Sequence, residues 1–238
     1  MSRVVILKTG QSYPAIIEQF SDFEDWFIAG LSPELELTVI NVTEDQDPGQ
    51  IDDWDGIVVT GSPAMVSERA PWSERTARWL AQAVAQNKPV LGVCYGHQLL
   101  AHALGGEVGY HPGGRESGTF EVRLNEAGEA DPLLGSLPRA FPAQLTHLQS
   151  VLSLPAGATL LASSDHEPHQ AFRVGDRAWG VQFHPEFTAP VMRAYLGVQA
   201  PALASEGLSP QALIDGVIDT PEAASLLQRF SALVQGLH

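Results

Sequence analysis

The chain has 238 residues, 44% of them hydrophobic and 17% charged, with 13 Lys and Arg against 28 Asp and Glu, a formal net charge of −15, and one cysteine. This length buries a substantial core without covalent staples, and a single Cys rules out an internal disulfide, a zinc ribbon or a CxxC redox pair, which points to a reducing compartment. The acidic balance, with no basic cluster, argues against nucleic acid as a partner, and the lack of a signal-peptide core or of any 18-residue apolar stretch leads us to expect a cytoplasmic protein that does not enter a membrane.

Val4-Val5-Ile6-Leu7 is an apolar run that stops at Thr9-Gly10, the pattern of a first strand. Tyr13-Pro14 opens a helical stretch through Phe20, Phe23, Trp26 and Phe27, whose spacings of 3 and 4 put the aromatics on one face. That face suits either the core or a partner. Leu37–Val42 reads as a second strand followed by an acidic surface loop, and Ile57–Thr60 as a third, stopped by Gly61-Ser62-Pro63. A helix is expected from about Ser73 to Asn87, with Ser73 as N-cap and Ala77, Leu80, Ala81 and Val84 on its apolar side.

The strand Val90–Val93 runs straight into a short helix that ends at Gly105-Gly106. From about residue 119 the texture is β-rich: Phe120–Leu124, Leu160–Ser163, Ala171–Val174 and Trp179–Phe183, the last two joined as a hairpin. After Pro190 the chain turns helical, with Leu226, Phe230, Leu233 and Leu237 on one buried face. Strands alternating with helices predict a three-layer α/β fold, its mostly parallel central sheet flanked by helices, with a β-rich second half. No linker divides it. A single domain over residues 1–238 is expected, with a core over about 1–190 and a C-terminal helical extension over about 191–238.

Gly92-Val93-Cys94-Tyr95-Gly96 has the G-x-nucleophile-x-G form of a nucleophile elbow, in which small flanking residues let a sharp strand-to-helix turn project the side chain between them. A sulfur at a helix N-terminus meets free N–H groups and the positive end of the helix dipole, so the Cys94 thiol is expected below its ordinary pKa of about 8.5. The Tyr95 N–H is placed to donate to a developing oxyanion. A nucleophilic Cys needs a base. His184, at the end of a predicted strand in GVQFHPEF, has Glu186 two residues on to orient its ring. His97 and His102 lie in the helix after Cys94 and read as packing or surface residues. Asp165-His166-Glu167-Pro168-His169 tempts a metal reading but contains Pro and lacks a third ligand, so no metal and no cofactor is expected.

These motifs resemble the class I (triad-type) glutamine amidotransferases, and in particular stand-alone relatives of the amidotransferase domain of GMP synthase. GVCYGHQLLAHALGG and GVQFHPEF are the strong anchors, with TGSPAMVSE and THLQSV as weaker supports in the expected order. The resemblance implies a flavodoxin-like core, Cys94 as nucleophile, His184 as general base and then acid, and Glu186 as the orienting carboxylate. It implies an oxyanion hole from the backbone N–H groups of Ser62 and Tyr95. Ser62 departs from the family's usual Gly. Gly61, Gln98, Leu148 and Gln149 fall where the family holds glutamine, the last two largely through main chain.

Such enzymes release ammonia from glutamine and pass it to a synthetase. No G-x-x-x-x-G-K-[ST] motif occurs after His184, and about fifty residues cannot make a synthetase domain. Three readings follow. The chain is an amidotransferase that serves a separate synthetase subunit, a self-contained hydrolase of glutamine or another γ-glutamyl small molecule, or an inactive binding module. A flavodoxin-like nucleotide binder would need a phosphate-cradling Gly loop after the first strand, which Lys8-Thr9-Gly10-Gln11-Ser12 does not supply.

Overall fold

The computed structural model describes residues 1–236, so Leu237 of the last helical face lies outside the described residues. In chain order the elements are β1 (Arg3–Lys8), α1 (Pro14–Phe20), α2 (Phe23–Gly30), β2 (Glu36–Asn41), β3 (Gly56–Val59), α3 (Pro71–Ala85), β4 (Val90–Val93) and α4 (Tyr95–Ala103). There follow β5 (Glu107–Tyr110), β6 (Glu116–Leu124), α5 (Glu126–Glu129), β7 (Ala140–His147), β8 (Gln149–Ser153), β9 (Ala158–Ser163), β10 (Ala171–Val174) and β11 (Ala178–Val181). Three helices close the chain: α6 (Ala189–Ser205), α7 (Pro210–Asp215) and α8 (Pro221–Val234).

Nine strands form one sheet in the order β2-β1-β3-β4-β11-β10-β9-β6-β7, while β5 and β8 form a separate antiparallel pair. The strands from β2 to β11 are parallel, and those from β11 to β7 pair antiparallel. Strand β1 shows why helices cover both faces. Its Val4 and Ile6 enter a core with Phe27 of α2 and with Leu226 and Phe230 of α8, whereas Val5 and Leu7 enter the opposite core with Leu80 of α3 and Leu99 of α4. Side chains that alternate at a period of two are thus buried on each side, as a doubly covered sheet demands.

Two expectations change. The helical stretch from Tyr13 to Phe27 is two helices, broken where Ser21 takes φ 72° and Asp22 begins a reciprocal capping box with Asp25. The aromatics then divide. Phe27 joins the sheet core, Phe23 and Trp26 pack on Phe187 and α6, and this is ordinary core packing. Helix α3 starts at Pro71 with Ala70 as its cap residue, and Ser73 is an interior position whose hydroxyl bonds Tyr95 Oη at 2.6 Å. In α8, Leu226 and Phe230 face the interior as their spacing implies, and with Ala223 and Leu227 they join the core that contains Trp179 and Phe27.

Candidate active site

Strands β3, β4 and β11 are neighbours and parallel, so their C-terminal ends meet along one edge, where open α/β sheets hold ligands. The residues just past those ends are Gly61-Ser62, Cys94 and Gln182-Phe183-His184. Cys94 N donates to Val181 O at 2.9 Å, and His184 N to Gln144 O at 2.9 Å, which fixes both loops to the sheet.

Cys94 has φ 53° and ψ −101°, a conformation that L-residues rarely adopt and that costs about 1–3 kcal/mol. The turn is possible only with its two glycines. A Cβ on Gly92 would lie 2.4 Å from Gly96 O, and one on Gly96 would lie 2.5 Å from Val59 O. The Cys94 thiol donates to Thr146 O at 3.6 Å and opens into a cavity of about 340 Å³.

His184 Nδ1 lies 3.1 Å from both Glu186 oxygens, leaving Nε2 buried with no partner among the described residues. Burial disfavours the imidazolium, but Glu186 and Cys94 outweigh it and push His184 up to about 10. Gly61 lies close to both Cys94 and His184: a Cβ there would lie 3.1 Å from His184 Cε1 and 3.8 Å from Cys94 Cβ. Phe187 stacks on the imidazole with ring centres 4.0 Å apart.

Ser62 and Tyr95 also line the cavity, and neither backbone N–H donates to a protein acceptor among the described residues. The Ser62 amide is oriented by residues that sequence reasoning passed over. Gly61 O accepts from Thr9 Oγ1 at 3.0 Å and Thr60 Oγ1 at 3.1 Å; across a planar trans peptide this turns the Ser62 N–H away from them. The Ser62 hydroxyl accepts from Ala64 N at 3.0 Å, so a side chain where the family has Gly is tied back into its own loop.

Gln98 holds main chain. Its Nε2 donates to Gln149 O at 2.7 Å and to Gln182 Oε1 at 3.0 Å. His147, also passed over, does the same from the other side: Nδ1 donates to Gln149 O at 2.8 Å while Nε2 sits 2.8 Å from the buried Glu116 carboxylate. The Gln149 side chain bonds Ser67 N and Oγ, and Leu148 O accepts from His111 N. Residues 146–149 are therefore a fixed strap across the cavity wall. Gln11, Ser12, Tyr13 and Pro14, after β1, form another wall, and Arg115 enters beside the strap. Lys8 anchors the first of these walls: it pairs with Asp22, whose carboxylate accepts from Ser12 N, and with Glu24.

The other histidines among the described residues are engaged elsewhere. His97 is fully buried against Phe172 and burial pulls its pKa down to about 3, so it is a neutral packing residue. His102 pairs with Glu74 at 2.8 Å. In the Asp165–His169 run, Glu167 accepts from Ser150, His169 Nδ1 bonds Val151 O, and His166 stacks on His111. No helix among the described residues is long and apolar enough to cross a membrane.

The family profile "Glutamine amidotransferase class-I" matches residues 20–196, about three quarters of the chain. A GMP synthase of Aeropyrum pernix is 41% identical over 131 residues, covering 55% of this chain and 24% of that protein. Gamma-glutamyl peptidase 3 of Arabidopsis thaliana is 30% identical over 151 residues, covering 61% of this chain and 60% of the peptidase. The chain thus spans about a quarter of the synthase and three fifths of the peptidase. A glutamine amidotransferase of Thermotoga maritima superposes with TM-score 0.77 at 20% identity, over 98% of this chain and 97% of the other, and one of Methylobacillus flagellatus with TM-score 0.72 at 25% identity, over 99% and 90%. Profile and fold agree with the motifs around Cys94 and His184, and the chain belongs to the class I glutamine amidotransferases.

Proposed function

We propose that the chain hydrolyses the side-chain amide of glutamine through a Cys94 glutamyl thioester. The observation that carries this reading is the strained Cys94 elbow beside a buried His184–Glu186 pair whose Nε2 has no partner among the described residues, with Gly61 close to both Cys94 and His184. The Cys94 thiolate attacks the amide carbon, and the oxyanion accepts from Ser62 N–H and Tyr95 N–H, each contributing about 3–4 kcal/mol. The His184 imidazolium gives its Nε2 proton to the amide nitrogen, the C–N bond breaks and ammonia leaves. Neutral His184 then takes a proton from water, the hydroxide opens the thioester, and glutamate departs as Cys94 regains its thiolate and His184 its proton. No cofactor takes part. The intact trio argues against an inactive binding module.

Two users of this chemistry remain. Similarity to GMP synthases supports ammonia transfer to a separate synthetase, and the lone cysteine, which permits no internal disulfide, fits a reducing cytoplasmic setting. The cavity favours a second reading, a self-contained γ-glutamyl peptide or amide hydrolase. The leaving nitrogen must lie near His184 Nε2, and Phe187, stacked on that imidazole, runs through Tyr195 to Tyr13 as an aromatic wall of the same cavity that ammonia does not need. A panel of glutamine, γ-glutamyl dipeptides and γ-glutamyl arylamines separates them. Weak glutaminase activity that rises with an added synthetase supports the subunit; strong cleavage of the larger substrates by the isolated chain supports the hydrolase.

A further inference from the structure

The strap and the catalytic pair leave the charged end of a γ-glutamyl group without a partner. That group carries an α-carboxylate, and the protein it enters has a net charge of −15. Arg115 is the one Lys or Arg among the described residues that line the cavity. Its position follows from strand register: Glu116 of β6 faces His147 of β7, so the preceding residue, Arg115, comes beside Leu148 of the strap. Its side chain is only 12% exposed. Nε and Nη2 are held by Glu206, at the end of α6, at 3.1 and 3.2 Å, and Nη1 has no hydrogen-bond partner among the described residues.

We infer that Arg115 is the receptor for the α-carboxylate of the γ-glutamyl substrate, with Glu206 holding the guanidinium in place, an assignment that rests on the γ-amide hydrolysis proposed above. A guanidinium pinned along one edge presents the rest of its planar fork at little further entropic cost, which suits it to a carboxylate. As a tether for the end of α6 the pair would contribute little, because Glu206 is 35% exposed. The acid adjacent in sequence, Glu116, serves the strap through His147. One short segment therefore supplies both the main-chain and the ionic halves of the amino-acid site.

The test compares glutamine with its α-carboxamide, which keeps the scissile amide and loses the carboxylate. Wild type should prefer glutamine about 10- to 100-fold in kcat/KM. Arg115→Gln should lose a similar factor on glutamine, mostly in KM, and show no preference between the two, while Arg115→Lys restores part of it. The ratio of the two substrates within one variant does not depend on how much of the sample is folded. If Arg115→Gln retains the preference, or weakens both substrates equally, the assignment is wrong while the hydrolysis stands. Should wild type cleave no γ-amide, the hydrolysis fails, and Arg115 is judged by calorimetry with L-glutamate: binding lost in Arg115→Gln supports the receptor role, and equal or absent binding overturns it.

Discussion

At the scale of single residues the elbow and the imidazole dominate. Alanine at Gly92 or Gly96 would drive a methyl group into backbone at 2.4 or 2.5 Å, so either variant should lose at least about 2–3 kcal/mol of stability in chemical denaturation together with all activity. His184 makes a pH prediction. Its folded pKa is raised, so the stability it contributes is fully present below 6.5 and is lost as pH rises through about 10. Under the proposed mechanism, the same rise would leave His184 protonated at neutral pH, as the general acid for the leaving nitrogen. The alkaline limb of kcat/KM should therefore lie well above pH 7, and Glu186→Gln, which removes a carboxylate that raises the pKa, should move that limb to lower pH as well as lowering the rate. A limb unmoved by the substitution would separate Glu186 from the imidazole. Glu116→Ala strands His147 in the interior; it should cost about 3–5 kcal/mol in urea unfolding and raise KM as the strap loosens.

At the scale of elements, the wall after β1 depends on Asp22, which accepts from Phe23 N and Ser12 N and pairs with Lys8. Asp22→Ala removes a helix cap and a buried ion pair together, and a loss of about 3–5 kcal/mol with a rise in KM is expected; an unchanged melt and KM would show that the wall holds without it. Strands β1, β3 and β4 of the parallel half were legible because they are buried on both faces and therefore spell continuous apolar runs such as Val4–Leu7 and Ile57–Val59. Strand β7 was not, since it lies at the sheet edge, where Pro142 is tolerated and the apolar signal is diluted. Strands β5 and β8 were hidden for a related reason: short and paired only with each other, they carry Glu107, Gly109, Gln149 and Ser153 in place of a β-branched run. The break at Ser21-Asp22 had a signal, Asp22 three residues before Asp25, but the aromatic periodicity ran across it.

For the molecule as a whole, the site exists because β3, β4 and β11 are adjacent and parallel although β11 lies some 85 residues beyond β4 in the chain. Cys94, His184 and Glu186 stood out as candidates because each sits in a local motif with its own chemistry. Thr9, Arg115 and His147 did not, because their roles come from partners that only the fold brings near: Thr9 from Gly61, 52 positions on, and His147 from Glu116, 31 positions back. The single cysteine, which excluded staples and metal clusters on composition, becomes the residue on which the whole reading turns. The most direct measurement is stoichiometric release of ammonia and glutamate from glutamine by wild type and Cys94→Ala, with mass spectrometry of the protein after a glutamine-like electrophile. The expected result is equal amounts of both products from wild type, a single adduct on Cys94, and neither from Cys94→Ala. Turnover that survives the substitution, or a wild-type protein that neither cleaves any γ-amide nor accepts the label at Cys94, would contradict it.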